Sequence, residues 1–302
     1  MGTPDFAKEF LEHIYLKDNF TIKAVYTRPP KKSNRGQKIN LSSVHRFAKE
    51  KKLEVFCPEK FSNLEIENIK KINPDVIIVV AYGLILPREV LMIPSRGACN
   101  IHTSLLPKWR GAAPIQRSIM NGDISTGISI MRMEEGLDEG PTYIQSEIKI
   151  GEHDNYEDVY NNLVDVGKNT FDIYFSGHQS YSPVPQNYKL ATYAYKIKKS
   201  EMQINFKDTA FMTHKKVCAF SPKPGAWFQF NSKKYKVFST EVVSQNIIKS
   251  FENSKKLIFS CKKDYLLIHK IQKEGKKVMK VEDFFRGHPN EFKNIKKEFF
   301  KI

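Results

Sequence analysis

Asn100 and His102 sit two residues apart at the end of an apolar run, and on a β-strand residues i and i+2 share one face. An amide N–H beside an imidazole can polarise one carbonyl oxygen and hold the oxyanion that forms when that carbonyl is attacked. The imidazole can also move a proton. An Asn-x-His pair can equally be a satisfied structural pair. A third candidate, Asp138, lies in EEGLDEGP, where Gly136 and Gly140 let the backbone bend tightly around it. A carboxylate held there could orient an imidazole and take the proton of an attacking group, although turn carboxylates are also common without chemistry. A second loop, AYGLILP, leaves the apolar run VIIVV and stays apolar through Tyr82, Gly83, Leu84 and Ile85. It either lines a half-apolar pocket that offers backbone groups to a heterocycle or is a buried turn.

These residues need elements to position them. The run Val76 to Val80 predicts a parallel strand covered on both faces, and Ala98 to His102 and Thr126 to Met133 predict two more strands. Thr21 to Thr27 and LEVFCP read as short strands. Thr3-Pro4-Asp5 predicts a helix start with Thr3 as N-cap and a helix to about Lys17, burying Phe6, Phe10 and Ile14. Ser42 to Lys52 reads as helical, and Leu64 to Ile72 as a helix ended by Asn73-Pro74. Alternating strands and helices predict an open α/β sheet with right-handed crossovers, whose ligand sits at the carboxyl ends of the strands. The opening Met-Gly-Thr-Pro turn looks like the first strand-to-helix turn of such a sheet, with no strand before it.

Between Phe175 and Lys189 lies a Pro- and Ser-containing connector. Beyond Asn205 the pattern changes to short strands: WFQFNSKKYKVF reads as two around an Asn-Ser turn, and KLIFSCKKDYLLIHKI as two more. Val281 to Phe285 reads as a short helical turn. A small barrel, of OB type, is expected there.

The chain has 302 residues and a net charge of +16. Residues 1–200 hold 27 Lys and Arg against 23 Asp and Glu, whereas residues 201–302 hold 22 against 10. A basic tail beside a nearly balanced larger part points to a polyanionic partner, nucleic acid, held by the C-terminal part. The four cysteines form no CxxC pair and have no His at metal-ligand spacing, so reduced thiols, no metal and a cytoplasmic location are expected. No apolar run approaches the roughly 20 residues that span a bilayer, so no membrane partner is expected.

Taken together, CNIHTSLLPKWRGAAPIQ, AYGLILP and MEEGLDEG resemble the formyltransferases that use 10-formyltetrahydrofolate. GTPDFA, NRGQK, RGAAPIQRSIMNGD, ATYAYKIKKSE and AFSPKPGAW narrow the resemblance to the methionyl-tRNA formyltransferases, over nearly the whole chain. The resemblance implies a Rossmann-like, doubly wound, mostly parallel catalytic domain over residues 1–180. A linker over 181–204 and an OB-like tRNA-binding β-barrel over 205–302 follow. It implies formyl transfer from 10-formyltetrahydrofolate to the methionyl amino group of initiator tRNA, by a monomer that releases tetrahydrofolate.

Asn100 and His102 would hold the formyl oxygen, with Asp138 holding His102 and helping to remove the ammonium proton. Tyr82, Gly83, Leu84 and Ile85, with Ser104, Leu105, Leu106, Pro107, Gly136 and Leu137, would form the folate site, largely through backbone. Arg28, Lys31, Lys32, Arg35 and Lys38, in the polar loop, would meet the acceptor end of the tRNA. Chains of the family begin with a strand before GTPDFA, so a start upstream of Met1 is expected. Glu139 stands where a smaller residue is usual. Three rival readings are a relative with a sugar-nucleotide or ribonucleotide amine as acceptor, a non-catalytic RNA-binding relative, and a hydrolase that releases formate from the same donor and would turn over without an acceptor. The basic tail and the Arg35 loop oppose the first; the presence of Asn100, His102 and Asp138 opposes the second.

Overall fold

A computed structural model of the chain describes residues 1–33, 38–177, 181–248, 256–288 and 291. The chain packs as two compact units. Met1–Pro114, Thr126–Ile148 and Asn162–Ala194 form the first, and Ile115–Ser125, Lys149–Asn161 and Tyr195–Ile302 the second.

The first elements in chain order are α1 (Asp5–Tyr15), β1 (Val25–Tyr26), β2 (Lys31–Ser33), β3 (Lys38–Asn40), α2 (Ser43–Glu50), β4 (Val55–Phe56), α3 (Asn63–Ile72) and β5 (Ile77–Val79). They are followed by α4 (Arg88–Leu91), β6 (Ala98–His102), β7 (Arg110–Gly111), α5 (Pro114–Asn121), β8 (Ser125–Arg132), β9 (Thr142–Lys149), α6 (Tyr156–Phe175) and β10 (Tyr193–Ala194). Phe6, Ala7, Phe10 and Ile14 recur at helical spacing and make the buried face of α1. Pro4, not Thr3, is its N-cap, so Thr3 stands one residue too early to reach the first-turn N–H groups. The Thr3 hydroxyl instead donates to the carbonyl of Tyr82 at 2.9 Å, tying the start of the chain to the loop after β5. Ser42 caps α2 by accepting the His45 N–H, and α3 ends at Asn73 in the left-handed region.

β1 and β4 pair in parallel, as do β5 and β6, while β8 lies antiparallel to β6 and is flanked by β9. Met1 and Gly2 lie between β1 and β5. The Gly2 N–H donates to Tyr26 O at 2.9 Å, the Val80 N–H donates to Met1 O at 2.9 Å, and Gly2 bridges Val80 in parallel sense. The central position of the sheet is filled over these two residues. A cleft of about 460 Å³ lies beside them, lined by Phe10, Ile14, Phe20, Val25 and Ile77. The buried strand β6 carries Asn100 and His102 at its carboxyl end.

The second unit is built on α7 (Ala210–Phe220), β11 (Ala226–Phe230), β12 (Lys233–Val243), β13 (Leu257–Ser260), β14 (Tyr265–Lys273), β15 (Met279–Lys280) and α8 (Val281–Gly287). The strands run β11-β12-β14-β13, with β15 on β14, all antiparallel. Asn231 and Ser232 both take positive φ, the conformation that a two-residue hairpin turn requires, and they place the turn where the Asn-Ser pair predicts it. A bulge between Val237 and Thr240 bends β12 and curls the sheet over a core that includes Phe220, Phe228, Tyr235, Phe259 and Phe284.

Candidate active site

β6 delivers Asn100 and His102 side by side, with 9% and 6% of their surface exposed. The Asn100 Nδ2–H donates to Asp138 Oδ1 at 3.2 Å. The other carboxylate oxygen, Oδ2, accepts the backbone N–H of Gly111 at 2.8 Å. His102 Nε2 lies 2.9 Å from the carbonyl oxygen of Trp109. A carbonyl only accepts, so Nε2 carries a proton, and in the neutral ring the lone pair lies on Nδ1. Nδ1 is the atom that faces Asp138 Oδ2, at 3.7 Å. The three residues singled out by their chemistry therefore converge on one point. Cys99, next to Asn100, is buried, and burial pushes its thiol up to about 12. A protonated thiol of that kind is no nucleophile.

Two residues of the site hold backbone conformations that side chains disfavour. Trp109 has φ +61° and Asp138 φ +50°. Such strain persists only where neighbours over-determine it, and here they do. The N–H of Trp109 donates to Thr192 Oγ1 at 2.9 Å, and the N–H of Arg110 donates to Thr192 O at 2.9 Å, as β7 pairs in parallel with β10. Gly111 has φ +119°, and a Cβ on it would meet Ala194 O at 2.9 Å, so the N–H that holds Asp138 can be brought in by glycine and by little else. A Cβ on Gly140 would lie 2.0 Å from Arg132 O. The turn around Asp138 closes this tightly onto β8. Glu139 folds its carboxylate back over Gly136.

The loop after β6 is clamped from behind. Ser129 Oγ donates to Ser104 O at 2.6 Å and accepts the Leu106 N–H at 3.0 Å. Gln145 Nε2 donates to Leu106 O at 2.8 Å and to Ser129 Oγ at 2.7 Å. Ser104 Oγ donates to Lys108 O at 2.5 Å. Of the residues expected in the folate site, Ser104 and Leu106 are thus turned into the fold, Leu105 packs over Gly127, and Pro107 accepts the Thr192 N–H. Tyr82 is buried too. Its ring packs on Phe61 and burial raises its phenol well above the ordinary range, so its side chain is turned into the fold while its carbonyl accepts the Thr3 hydroxyl. Ala81 and Gly83 take positive φ and turn the chain outward. The space beside Gly83 is open. Ile85 is 80% exposed and Leu137 59%, and an Arg88–Glu135 contact at 3.9 Å links their two loops. Exposed apolar side chains thus stand beside bent backbone on this face.

Arg28 lies against the same loop. Its Nη1 reaches Gly83 O at 3.5 Å, and its N–H approaches Thr3 Oγ1 at 3.4 Å. Lys31, Lys32 and Lys38 lie on the antiparallel pair β2 and β3. Arg35 lies outside the described residues. Trp109, Gly111, Ser129, Gln145 and Gln186 are parts of the site that chemistry-bearing spacing does not pick out. Gly111 and Trp109 do fall within the quoted PKWRGAAP stretch. Ser129 and Gln145 carry no local signal, because their partners come from another strand.

Fold and site define a formyl transferase. The family described as "Formyl transferase" matches residues 1–172, and "Formyl transferase, C-terminal domain" matches residues 196–289. The chain is 41% identical to the methionyl-tRNA formyltransferase of Pelagibacter ubique (strain HTCC1062) over 298 residues, covering 95% of this chain and 94% of that one. It is 38% identical to the methionyl-tRNA formyltransferase of Ehrlichia ruminantium (strain Gardel), covering 95% and 96%. The chain belongs to the methionyl-tRNA formyltransferase family. Among solved structures, it shares its fold with an N-formyltransferase from Helicobacter canadensis, with TM-score 0.66 and 22% identity over 90% of this chain and 97% of that one.

Proposed function

We propose that this protein transfers the formyl group of 10-formyltetrahydrofolate to the α-amino group of methionine carried on initiator tRNA. The observation that carries this reading is the convergence of Asn100, His102 and Asp138 at the end of β6 in a chain of this family. The α-ammonium first gives up a proton, and the carboxylate of Asp138 with the Nδ1 lone pair of His102 faces the place where it would do so. The neutral amine attacks the formyl carbon, and the charge that develops on the formyl oxygen meets donors from Asn100 and, once protonated, from His102 Nδ1. Because Nε2–H is held by Trp109 O, the His102 donor to that oxygen is the Nδ1–H of the doubly protonated ring. Asp138 stabilises that cation. As the carbon–N10 bond breaks, the attacking nitrogen gives up a second proton and N10 takes one up, so that the formamide N–H and the N10–H of tetrahydrofolate form and one proton is released to water overall. The site's backbone pre-organisation supplies orientation as well as charge.

In this reading the pterin lies against Gly83, Ile85 and Leu137, with Tyr82, Leu84, Leu105, Pro107 and Gly136 shaping its loops. Ser104 and Leu106 support from below. Arg28, Lys31, Lys32, Arg35 and Lys38 meet the acceptor end. The excess of Lys and Arg beyond residue 200 holds the tRNA backbone through contacts that give affinity more than base reading. The enzyme acts as a monomer in the cytoplasm, where initiator tRNA is charged. Its catalytic, connecting and tRNA-binding parts follow the division at about residues 180 and 205.

The test is formyl transfer from 10-formyltetrahydrofolate to methionyl initiator tRNA, with elongator methionyl-tRNA alongside and His102→Ala as control. Selective formylation of the initiator, lost in His102→Ala, is expected. Folate binding with no transfer to either tRNA would overturn the reading.

A further inference from the structure

The residue that locks the site together comes from the connector before β10. Gln186 makes four hydrogen bonds with one amide group. Its Oε1 accepts from Arg110 Nε at 3.0 Å and Nη2 at 2.8 Å. Its Nε2 donates to Asp138 O at 2.8 Å and to Gly140 O at 2.7 Å. Both lone pairs and both N–H groups are used, so the amide has one orientation. Arg110 is 5% exposed, and among the described residues no carboxylate pairs with it. The amide oxygen of Gln186 therefore stands in for the counter-charge of a buried guanidinium, a group that is expensive to leave without partners.

The connections run on both sides of Asp138. On one side Gln186 holds the backbone of the turn in which Asp138 adopts φ +50°. On the other it holds Arg110, whose neighbour Gly111 gives its N–H to the Asp138 carboxylate. Backbone and side chain of Asp138 are thus fixed to one amide through two routes. The segment is itself pinned, since Val184 exchanges backbone hydrogen bonds with Thr142 at 2.9 and 2.8 Å, and Thr192 pairs with Pro107 and Arg110.

We infer that Gln186 is a positioning residue for the formyl transfer: it sets the placement of the Asp138 carboxylate against His102 without touching either substrate. The inference rests on the activity proposed above. Two variants separate position from fold. Gln186→Glu keeps acceptors for Arg110 but has no N–H for Asp138 O and Gly140 O, and it adds negative charge behind Asp138. Gln186→Met has nearly the same shape and none of the four bonds.

For both variants kcat for transfer to methionyl initiator tRNA is expected to fall at least tenfold, with KM for the formyl donor changing less than threefold. In Gln186→Glu the acid limb of the kcat–pH profile moves to higher pH, a change that loosened packing alone does not produce. Amide exchange gives a readout independent of any acceptor: the Gly111 N–H loses protection in Gln186→Met, while amides of β12 and β14 keep theirs. Unchanged kcat, an unmoved profile and a protected Gly111 amide would overturn the inference. If the unaltered enzyme forms no formylmethionyl-tRNA while the Gly111 amide still responds to Gln186→Met, the proposed activity has failed and the positioning of Asp138 has not.

Discussion

The Nδ1 atom of His102 lies 3.7 Å from Asp138 Oδ2, near enough for charge to act and too far for a direct hydrogen bond. The carboxylate is instead held by Asn100 and Gly111. This leaves the proton-accepting face of the imidazole and one side of the carboxylate open to the same incoming group. In Asp138→Asn the amide oxygen can still accept from Gly111, but its NH2 then faces the Asn100 amide, which must turn to present its oxygen, and the charge is lost. Transfer is expected to fall about 10²–10⁴-fold, the range of a positioned acid–base group. Single-turnover formylation checks this, with binding of the folate donor as the companion measurement. Activity within threefold of the unaltered enzyme would remove Asp138 from the chemistry.

Ser129 is buried and joins β8 to the loop after His102 through Ser104 O and the Leu106 N–H. Ser129→Ala strands both groups and a Gln145 donor. Each buried unsatisfied group costs about 1–3 kcal/mol. A loss of that order in unfolding free energy is expected, together with a rise in KM for the formyl donor, because the displaced loop runs from Ser104 to Pro107. Urea titration and steady-state kinetics measure the two effects. A loss of stability with unchanged KM would show that the clamp serves the fold alone.

Binding through phosphates releases condensed counterions, so it weakens linearly in log salt with a slope set by the number of phosphate contacts. KM for initiator methionyl-tRNA is expected to rise steeply with salt, and Arg35→Ala should lower the slope of log KM against log salt by about one. The same change should leave KM for the folate donor untouched. An unchanged slope would take Arg35 away from the tRNA.

What could be read from the sequence depended on how local the cause was. The β6 strand is where Ala98 to His102 predicts it, because an apolar run with two polar residues on one face has a period that a strand fits. The Asn231-Ser232 turn was equally legible, since its conformation belongs to those two residues. Thr21 to Thr27 reads as a strand, yet only Val25–Tyr26 pairs, because strand length there is set by partners: β4 on one side and the two-residue stretch Met1–Gly2 on the other. The site shows the same division. Asn100, His102 and Asp138 announce themselves by type and spacing. Gln186 does not, because a lone Gln in a Pro- and Ser-rich stretch reads as connector, and its partners Arg110, Asp138 and Gly140 lie 46 to 76 residues away in the chain. A carbonyl that must be bonded leaves no trace in residue type.

Glu291 ties the end of the described chain to the barrel. Its carboxylate accepts from Lys273 at 2.8 Å, Lys233 at 3.0 Å and the Tyr235 hydroxyl at 2.9 Å. Burial alone would raise its pKa, but these donors outweigh burial and bring it down to about 2. A carboxylate depressed in the folded state contributes stability that is fully present above its unfolded value near 4.5 and is lost as pH falls toward 2. Glu291→Gln should therefore destabilise the second unit at neutral pH, and the gap between variant and unaltered protein should close between pH 5 and 2. The two tryptophans make this measurable, because Trp227 lies on β11 in the second unit and Trp109 in the first. In a Trp109→Phe background, urea unfolding followed by Trp227 fluorescence reports the barrel alone. A gap that stays constant across that window would show that the Glu291 network acts through packing and not through charge.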